Sequence, residues 1–230
     1  MAKSLRPRSA AANAKATSVA VVGMGRFGSA LAQELMALGR EVLGIDSDET
    51  LVQDHASRLT QTVKADCTSE AALEELGITD FDSVVVAIGS DLESNILCCS
   101  ILLGLGVKDL WAKSTSAAHG RILKQLGVHH VVFPESDMGK RIAHQVGGDQ
   151  LDYVEIDEKF VMAKTRVAER FEGKSLKELQ FRGTFGIIVV ASSHADENYL
   201  PASPDTVLNR GDHLIIAGPK VELEAFCRIS

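Results

Sequence analysis

The sequence predicts an α/β protein: a doubly wound parallel sheet followed by a small α+β domain. Three observations carry this reading. The first is Val19-Ala20-Val21-Val22-Gly23-Met24-Gly25-Arg26-Phe27-Gly28, where an apolar run enters a Gly-x-Gly-x-x-Gly turn and a helical pattern begins at once. The second is the alternation of short apolar runs with helical stretches as far as Val146. The third is a change of rhythm past the linker-like Gly147-Gly148-Asp149-Gln150, where strand-like segments no longer alternate with long helices.

Each element has its own signal. After the first strand, Leu31, Leu35 and Leu38 keep helical spacing on one face. Glu41-Val42-Leu43-Gly44-Ile45 is a second strand ending in Asp46. Residues 48–57 read as a helix capped by Ser47 or Asp48. Residues 61–65 make a short third strand, and Thr68-Ser69-Glu70 opens a helix that Gly77 closes. Ser83-Val84-Val85-Val86-Ala87-Ile88 is β-branched and continuous, as a strand buried on both faces requires, and Gly89 ends it. A long apolar helix over 92–105, a strand at 110–112, a helix over 117–126 closed by Gly127, and a strand at 131–133 stopped by Pro134 follow. Residues 138–146 complete the sixth unit as a helix. Six such units predict a Rossmann-like sheet in the order 3-2-1-4-5-6.

The second domain is expected over 151–230, with the first over 18–146 and residues 147–150 between them. Strand-like segments lie within 151–167, and Leu176 and Leu179 belong to a short helix. Phe185-Gly186-Ile187-Ile188-Val189-Val190-Ala191 reads as a buried strand. Leu208-Asn209-Arg210-Gly211-Asp212 turns into a last strand over 213–218, and residues 221–226 close the chain as a helix.

Composition bounds the function. Of the 230 residues, 45% are hydrophobic and 24% charged, ordinary for a globular protein with a sizeable core. A net charge of −7 argues against general nucleic-acid binding, which needs a basic surface. No apolar run approaches the roughly 18–20 residues that span a bilayer. Residues 1–17 lack the apolar core of a secretory signal and read as a disordered tail rich in Ala and Ser. The four cysteines show no metal-ligand spacing and read as reduced thiols. The seven histidines form no ligand set, and no nucleophile elbow is present.

The glycine turn carries the chemistry. Gly23 makes the tight turn, Gly25 lets a phosphate approach the backbone, and Gly28 lets the helix pack close to the sheet. Helix N–H groups then face the phosphates. Asp46 stands eighteen residues after Gly28, where an acid at a strand end binds ribose hydroxyls. Its charge repels a 2′-phosphate, so NAD or an adenine nucleotide is preferred to NADP. Arg26, inside the turn, is suited to phosphate oxygens. Ala87-Ile88-Gly89 should wall the crevice at the topological switch point. Lys113 and Glu135 stand near the C-terminal ends of the fifth and sixth strands, on the ligand-binding edge.

Gly23-Met24-Gly25-Arg26-Phe27-Gly28, the strand ending in Asp46, Val86-Ala87-Ile88-Gly89, Phe133-Pro134-Glu135-Ser136-Asp137-Met138-Gly139 and Leu208-Asn209-Arg210-Gly211-Asp212-His213-Leu214 occur in one order and spacing. On these motifs the chain resembles the cytosolic regulatory subunits of Trk/Ktr potassium transporters, the KtrA/TrkA family. It looks like an RCK (KTN, or TrkA-N) domain followed by a TrkA-C domain. The resemblance implies a cytoplasmic protein peripheral to the membrane. Its dimers would assemble into an octameric ring beneath a membrane-embedded pore subunit. It implies ATP, ADP or NAD(H) in the crevice and no catalysed reaction. By the match, Met24 and Phe27 belong to the nucleotide turn, Arg26 contacts terminal phosphates, and Asp66-Cys67-Thr68 lies near the adenine. Lys113 lies near the phosphates, and Glu135 helps hold Mg²⁺ or another cation there across the dimer. Cys67 stands where the family commonly has Ala. A cyclic di-AMP site in the second domain would use Arg182, Ile187 and Ile188.

Two rival readings remain at this stage. One is an NAD-dependent oxidoreductase, since the fold alone does not exclude it. The other is a nucleotide sensor acting on a different partner.

Overall fold

The computed structural model describes residues 17–146, 152–157, 159–194 and 197–227. The expected tail, apart from Thr17, and the linker at 147–150 lie outside the described residues. Contacts divide the chain into two units, 1–134 and 135–230. The sequence predicts the first boundary after Val146, whereas this division leaves the helix that follows the sixth strand almost wholly in the second unit.

The first unit alternates strands and helices: β1 (Ser18–Val22), α1 (Arg26–Ala37), β2 (Glu41–Asp46), α2 (Glu49–His55), β3 (Gln61–Lys64), α3 (Glu70–Glu75), β4 (Ser83–Val86), α4 (Leu92–Gly104), β5 (Leu110–Lys113), α5 (Ala117–Leu126) and β6 (His130–Val132). The six strands are parallel and lie in the order β3-β2-β1-β4-β5-β6. The chain therefore crosses from one edge to the middle between β3 and β4, and the switch point falls between β1 and β4. Strand periodicity sends successive side chains to opposite faces. Ala20, Val22, Leu43 and Ile45 join one buried cluster, whereas Val19, Val21 and Val42 join another. Burial on both faces explains why these strands read as continuous apolar runs.

Helix α6 (Pro134–Val146) starts four residues earlier than expected. Pro134 ends the strand, and it also opens the helix, because a first-turn position needs no N–H and favours proline's fixed φ. The rest of the second unit comprises β7 (Asp152–Glu155), β8 (Phe160–Arg166), α7 (Leu176–Leu179), α8 (Phe181–Phe185), β9 (Ile188–Ser193), β10 (Leu200–Pro201), β11 (His213–Pro219) and α9 (Lys220–Cys227). Its five strands form an antiparallel sheet ordered β10-β9-β11-β8-β7. Phe171, Phe181, Phe185 and Phe226 pack ring to ring with centroids 5.1–5.8 Å apart and anchor its core. The strand expected from Phe185 begins instead at Ile188. Phe185 closes α8, and Gly186 reverses the chain in the left-handed region at φ 69°.

Candidate functional site: a crevice at the switch point

Gly23 leaves β1 at φ 95°, a conformation that glycine adopts without strain. Its N–H donates to the Ile45 carbonyl at 2.8 Å, which ties the turn to β2. A Cβ on Gly28 would fall 1.8 Å from the Gly23 carbonyl oxygen, so only glycine lets α1 fold back this closely. Gly25 caps α1 with no side-chain hydrogen bond, and no acid occupies the helix's first turn. The contrast with its neighbours is sharp. Asp48, Ser69, Asp91 and Ser116 each accept a backbone N–H at the starts of α2, α3, α4 and α5. The N–H groups that open α1 are thus left without a side-chain acceptor, at the positive end of a helix dipole.

That end faces a cavity of about 370 Å³, within the range of about 300–1,000 Å³ usual for small-molecule sites. Gly23, Gly25, Asp46, Asp66, Cys67, Ala87, Ile88 and Gly89 line it, so the structure brings these expected residues together. Ser47, Leu51, Ala65, Ser90, Asp91 and Ser94 also line it and were not anticipated. Ser90, Asp91 and Ser94 belong to the β4–α4 turn, where an N-cap pattern signals a helix start and says nothing of a ligand. Three carboxylates thus border the cavity. Hydrogen bonds from the Thr68 hydroxyl and N–H lower the Asp66 pKa, and those from Ser94 do the same for Asp91, so both stay ionised.

Asp46 has a second task. Its Oδ2 accepts the Met24 N–H at 2.6 Å and its Oδ1 accepts the Asp48 N–H at 2.9 Å. The acid at the end of β2 therefore clamps the glycine turn, and its remaining lone pairs are available to hydroxyl donors. The Met24 side chain is buried at 1% exposure within the apolar core, and its backbone N–H is what meets the crevice acid. Phe27 also packs against this core. Lys113 is not the surface charge its composition class favours. It is 8% exposed, and its Nζ lies 5.5 Å from the Phe27 ring centroid and 2.9 Å from where a Gly89 Cβ would stand. Arg26 is exposed at the first residue of α1, and Glu135 is exposed in the first turn of α6, within the second unit.

Behind the crevice lies a buried polar network that the sequence did not reveal. Asn95, at 0% exposure, donates from Nδ2 to the Ile88 carbonyl at 2.8 Å and to the Lys113 carbonyl at 3.1 Å. Its Oδ1 pairs with His119 Nε2 at 3.2 Å, and burial lowers the His119 pKa. The neutral Nε2–H tautomer fits, because Nδ1 then accepts the Thr115 N–H. One amide thus fixes the ends of β4 and β5, on which the crevice wall and Lys113 stand.

A second cavity of about 520 Å³ lies in the second unit, and Arg182, Ile187 and Ile188 all line it. Ile187 is fully buried and Ile188 half-exposed.

Comparison with known proteins agrees with this architecture. The TrkA-N domain family matches residues 19–134, and the TrkA-C domain family matches 166–230. The chain is 36% identical over 208 residues to Ktr system potassium uptake protein C of Bacillus subtilis (strain 168), covering 90% of this chain and 94% of the relative. It is 34% identical over 205 residues to Ktr system potassium uptake protein A of Vibrio alginolyticus, covering 89% and 93%. The chain belongs to the family of Ktr/TrkA potassium uptake proteins. Among solved structures, the GsuK RCK domain superposes with a TM-score of 0.65 at 18% identity, covering 93% of this chain and 47% of that one. The GsuK channel bound to NAD gives 0.64 at 17%, covering 91% and 38%. These neighbours show that this Ktr/TrkA chain has the RCK fold. Among the described residues no helix is long and apolar enough to cross a membrane.

Proposed function

We propose that the protein is a nucleotide-binding regulatory subunit that gates a membrane-embedded Trk/Ktr-type potassium pore and catalyses no reaction. The uncapped N-terminus of α1 opening onto the switch-point cavity carries this reading, since it offers anion-binding N–H groups beside acids suited to hydroxyls. Potassium uptake in the relatives' names and the NAD of the GsuK channel support it. The ligand is ATP, ADP or NAD(H). Gly23, Gly25 and the first N–H groups of α1 hold phosphates, Asp46 holds the ribose, and the wall of Asp66, Cys67 and Ile88 takes the purine. Three bordering carboxylates disfavour the 2′-phosphate of NADP by charge. Nucleotide acts by binding two ring conformations with different affinity, because equal affinity would shift nothing.

Finer assignments follow from the same reading. Arg26 meets the terminal phosphate of ATP. Among the described residues no group of three or more His, Cys, Asp and Glu is placed to hold a metal ion. A cation at Glu135 would therefore need phosphate oxygens to complete its shell, as Mg²⁺ commonly does. The cavity bordered by Arg182 is where cyclic di-AMP would bind.

Calorimetric titration with ATP, ADP, NADH and cyclic di-AMP, with Mg²⁺ and with EDTA, tests these statements. Saturable binding of at least one adenine nucleotide is expected, and Arg26→Ala should narrow the ATP/ADP affinity ratio by up to about tenfold. Absence of binding by all of ATP, ADP and NADH would overturn the reading.

A further inference from the structure

The register that pairs β4 with β5 ends at Val86 and Ala112. Past that point the fully buried Asn95 of α4 ties the two chains together. Its Nδ2 donates to the Ile88 carbonyl at 2.8 Å and to the Lys113 carbonyl at 3.1 Å. Its Oδ1 accepts from His119 Nε2 at 3.2 Å and from the Cys99 thiol at 3.9 Å. A primary amide has two donors and two acceptor sites, and here all four are used.

We propose that Asn95, held in one orientation by His119, is a positioning residue of the nucleotide site, so that affinity depends on a side chain that no nucleotide touches. The proposal rests on the reading of the crevice as a nucleotide site.

The wall that Asn95 holds has little slack. A Cβ on Gly23 would stand 3.1 Å from the Ile88 backbone nitrogen, so the glycine turn lies directly against Ile88. A Cβ on Gly89 would stand 2.9 Å from Lys113 Nζ, so the lysine lies as closely against the next residue of the wall. A small shift of either carbonyl therefore reshapes the crevice. Buried polar networks that are fully satisfied hold one arrangement, and a binding site depends on such support behind its contacting atoms.

His119 decides which way the amide faces. Its own N–H donates to Ser116 Oγ at 3.1 Å, at the start of α5, and its Nδ1 accepts the Thr115 N–H at 3.4 Å. Ser114 Oγ donates to the Ser116 carbonyl at 2.8 Å and braces the same loop. A Cβ on Gly120 would run into the Phe133 ring, so α5 is seated closely there. The ring is thus fixed with its Nε2–H aimed at Oδ1. An amide turned over would set its NH₂ against that N–H and its oxygen against two carbonyls. Burial lowers the His119 pKa and keeps the ring neutral, as this arrangement requires.

The test uses the full chain. Asn95→Asp keeps the shape of the side chain, but a carboxyl donates at most one hydrogen bond where the amide donates two. Calorimetry of the folded variant should show ATP, ADP and NADH each bound at least about tenfold more weakly, the lower end of the loss seen when groups that orient metal ligands are removed. The melting temperature without nucleotide is read separately, because a residue that serves only the fold lowers it and leaves the affinity of the folded protein alone. His119→Leu removes the donor to Oδ1 and should weaken the same ligands, whereas His119→Gln, which can present an amide N–H there, should restore them. Wild-type affinity in folded Asn95→Asp would overturn the proposal. If that variant does not fold, equal affinity in His119→Leu and His119→Gln would overturn it instead. A wild type that binds none of the three ligands would overturn it together with the reading beneath it, whereas nucleotide binding that ignores these substitutions would overturn it alone.

Discussion

At Asp46 one carboxylate serves both the fold and the ligand site. Its two oxygens accept the Met24 and Asp48 N–H groups, so the acid that a ribose would meet already fixes the glycine turn. Asp46→Ala leaves both donors without their acceptor. Apo stability should fall by about 1–3 kcal/mol, and ATP binding should weaken by about 1.5–3 kcal/mol through the lost charge-assisted bonds. Urea denaturation without nucleotide measures the first and calorimetry the second. Unchanged apo stability would remove the clamp, and unchanged ATP affinity would remove the ribose role. Asn95 works differently, since it binds main-chain carbonyls and never reaches the cavity surface. A sequence shows an apolar helix there and gives no sign that one polar side chain is turned inward.

The second unit holds an element-scale counterpart, a clamp between the end of β9 and the start of β11. His194 Nδ1 lies 2.6 Å from Oδ1 of Asp212, which is buried and whose Oδ2 accepts the Asn209 N–H at 2.8 Å. The hydrogen bond and charge of Asp212 raise the His194 pKa above its ordinary value. A histidine raised on folding contributes stability that is complete below its unfolded pKa of about 6.5 and is lost as pH climbs through the folded value. The melting-temperature gap between wild type and His194→Ala should therefore be wider at about pH 5.5 than at about pH 8.5. A gap that is constant or widens with pH would show that the clamp is not ionic. The central strands β1, β2 and β4 were legible because burial on both faces makes them unbroken apolar runs, whereas the edge strands β3 and β6 are only partly buried. Terminal turns were less so. Pro134 reads equally as a stop and as a helix start, and Phe185 is apolar enough for a strand although Gly186 ends a helix there. Leu200–Pro201 is too short to carry a period, so β10 appears only through its pairing with β9. At the site, the glycines and Asp46 were legible because their chemistry is local. The buried state of Lys113 was not, because it depends on elements far apart in the chain.

Several helices leave apolar side chains exposed in the isolated chain, and this bears on the whole molecule. On α4 and α5, which pack together, Leu92, Leu97, Ile122 and Leu126 are 48%, 45%, 39% and 39% exposed. On α6, Met138, Ile142 and Val146 recur every fourth residue and are 53%, 45% and 80% exposed. Residues so spaced share one helix face. Apolar surface removed from water is worth about 25 cal/mol per Å², so burying two such faces between copies would favour association. The expectation is a homo-oligomer, and the gating proposed above requires that it be a ring. Two self-pairing patches on one chain can build an assembly larger than the dimer that one such patch gives. Light scattering should report a mass of many times 24.6 kDa for the wild type. Leu97→Asp combined with Ile122→Asp should remove one interface, and Ile142→Asp the other, because an aspartate cannot be buried there without a partner. Each variant should then stop at a smaller, discrete species with its circular dichroism intact. A wild type that stays monomeric at micromolar concentration, with and without ATP, would leave these faces without the role assigned to them and would remove the ring from the gating mechanism.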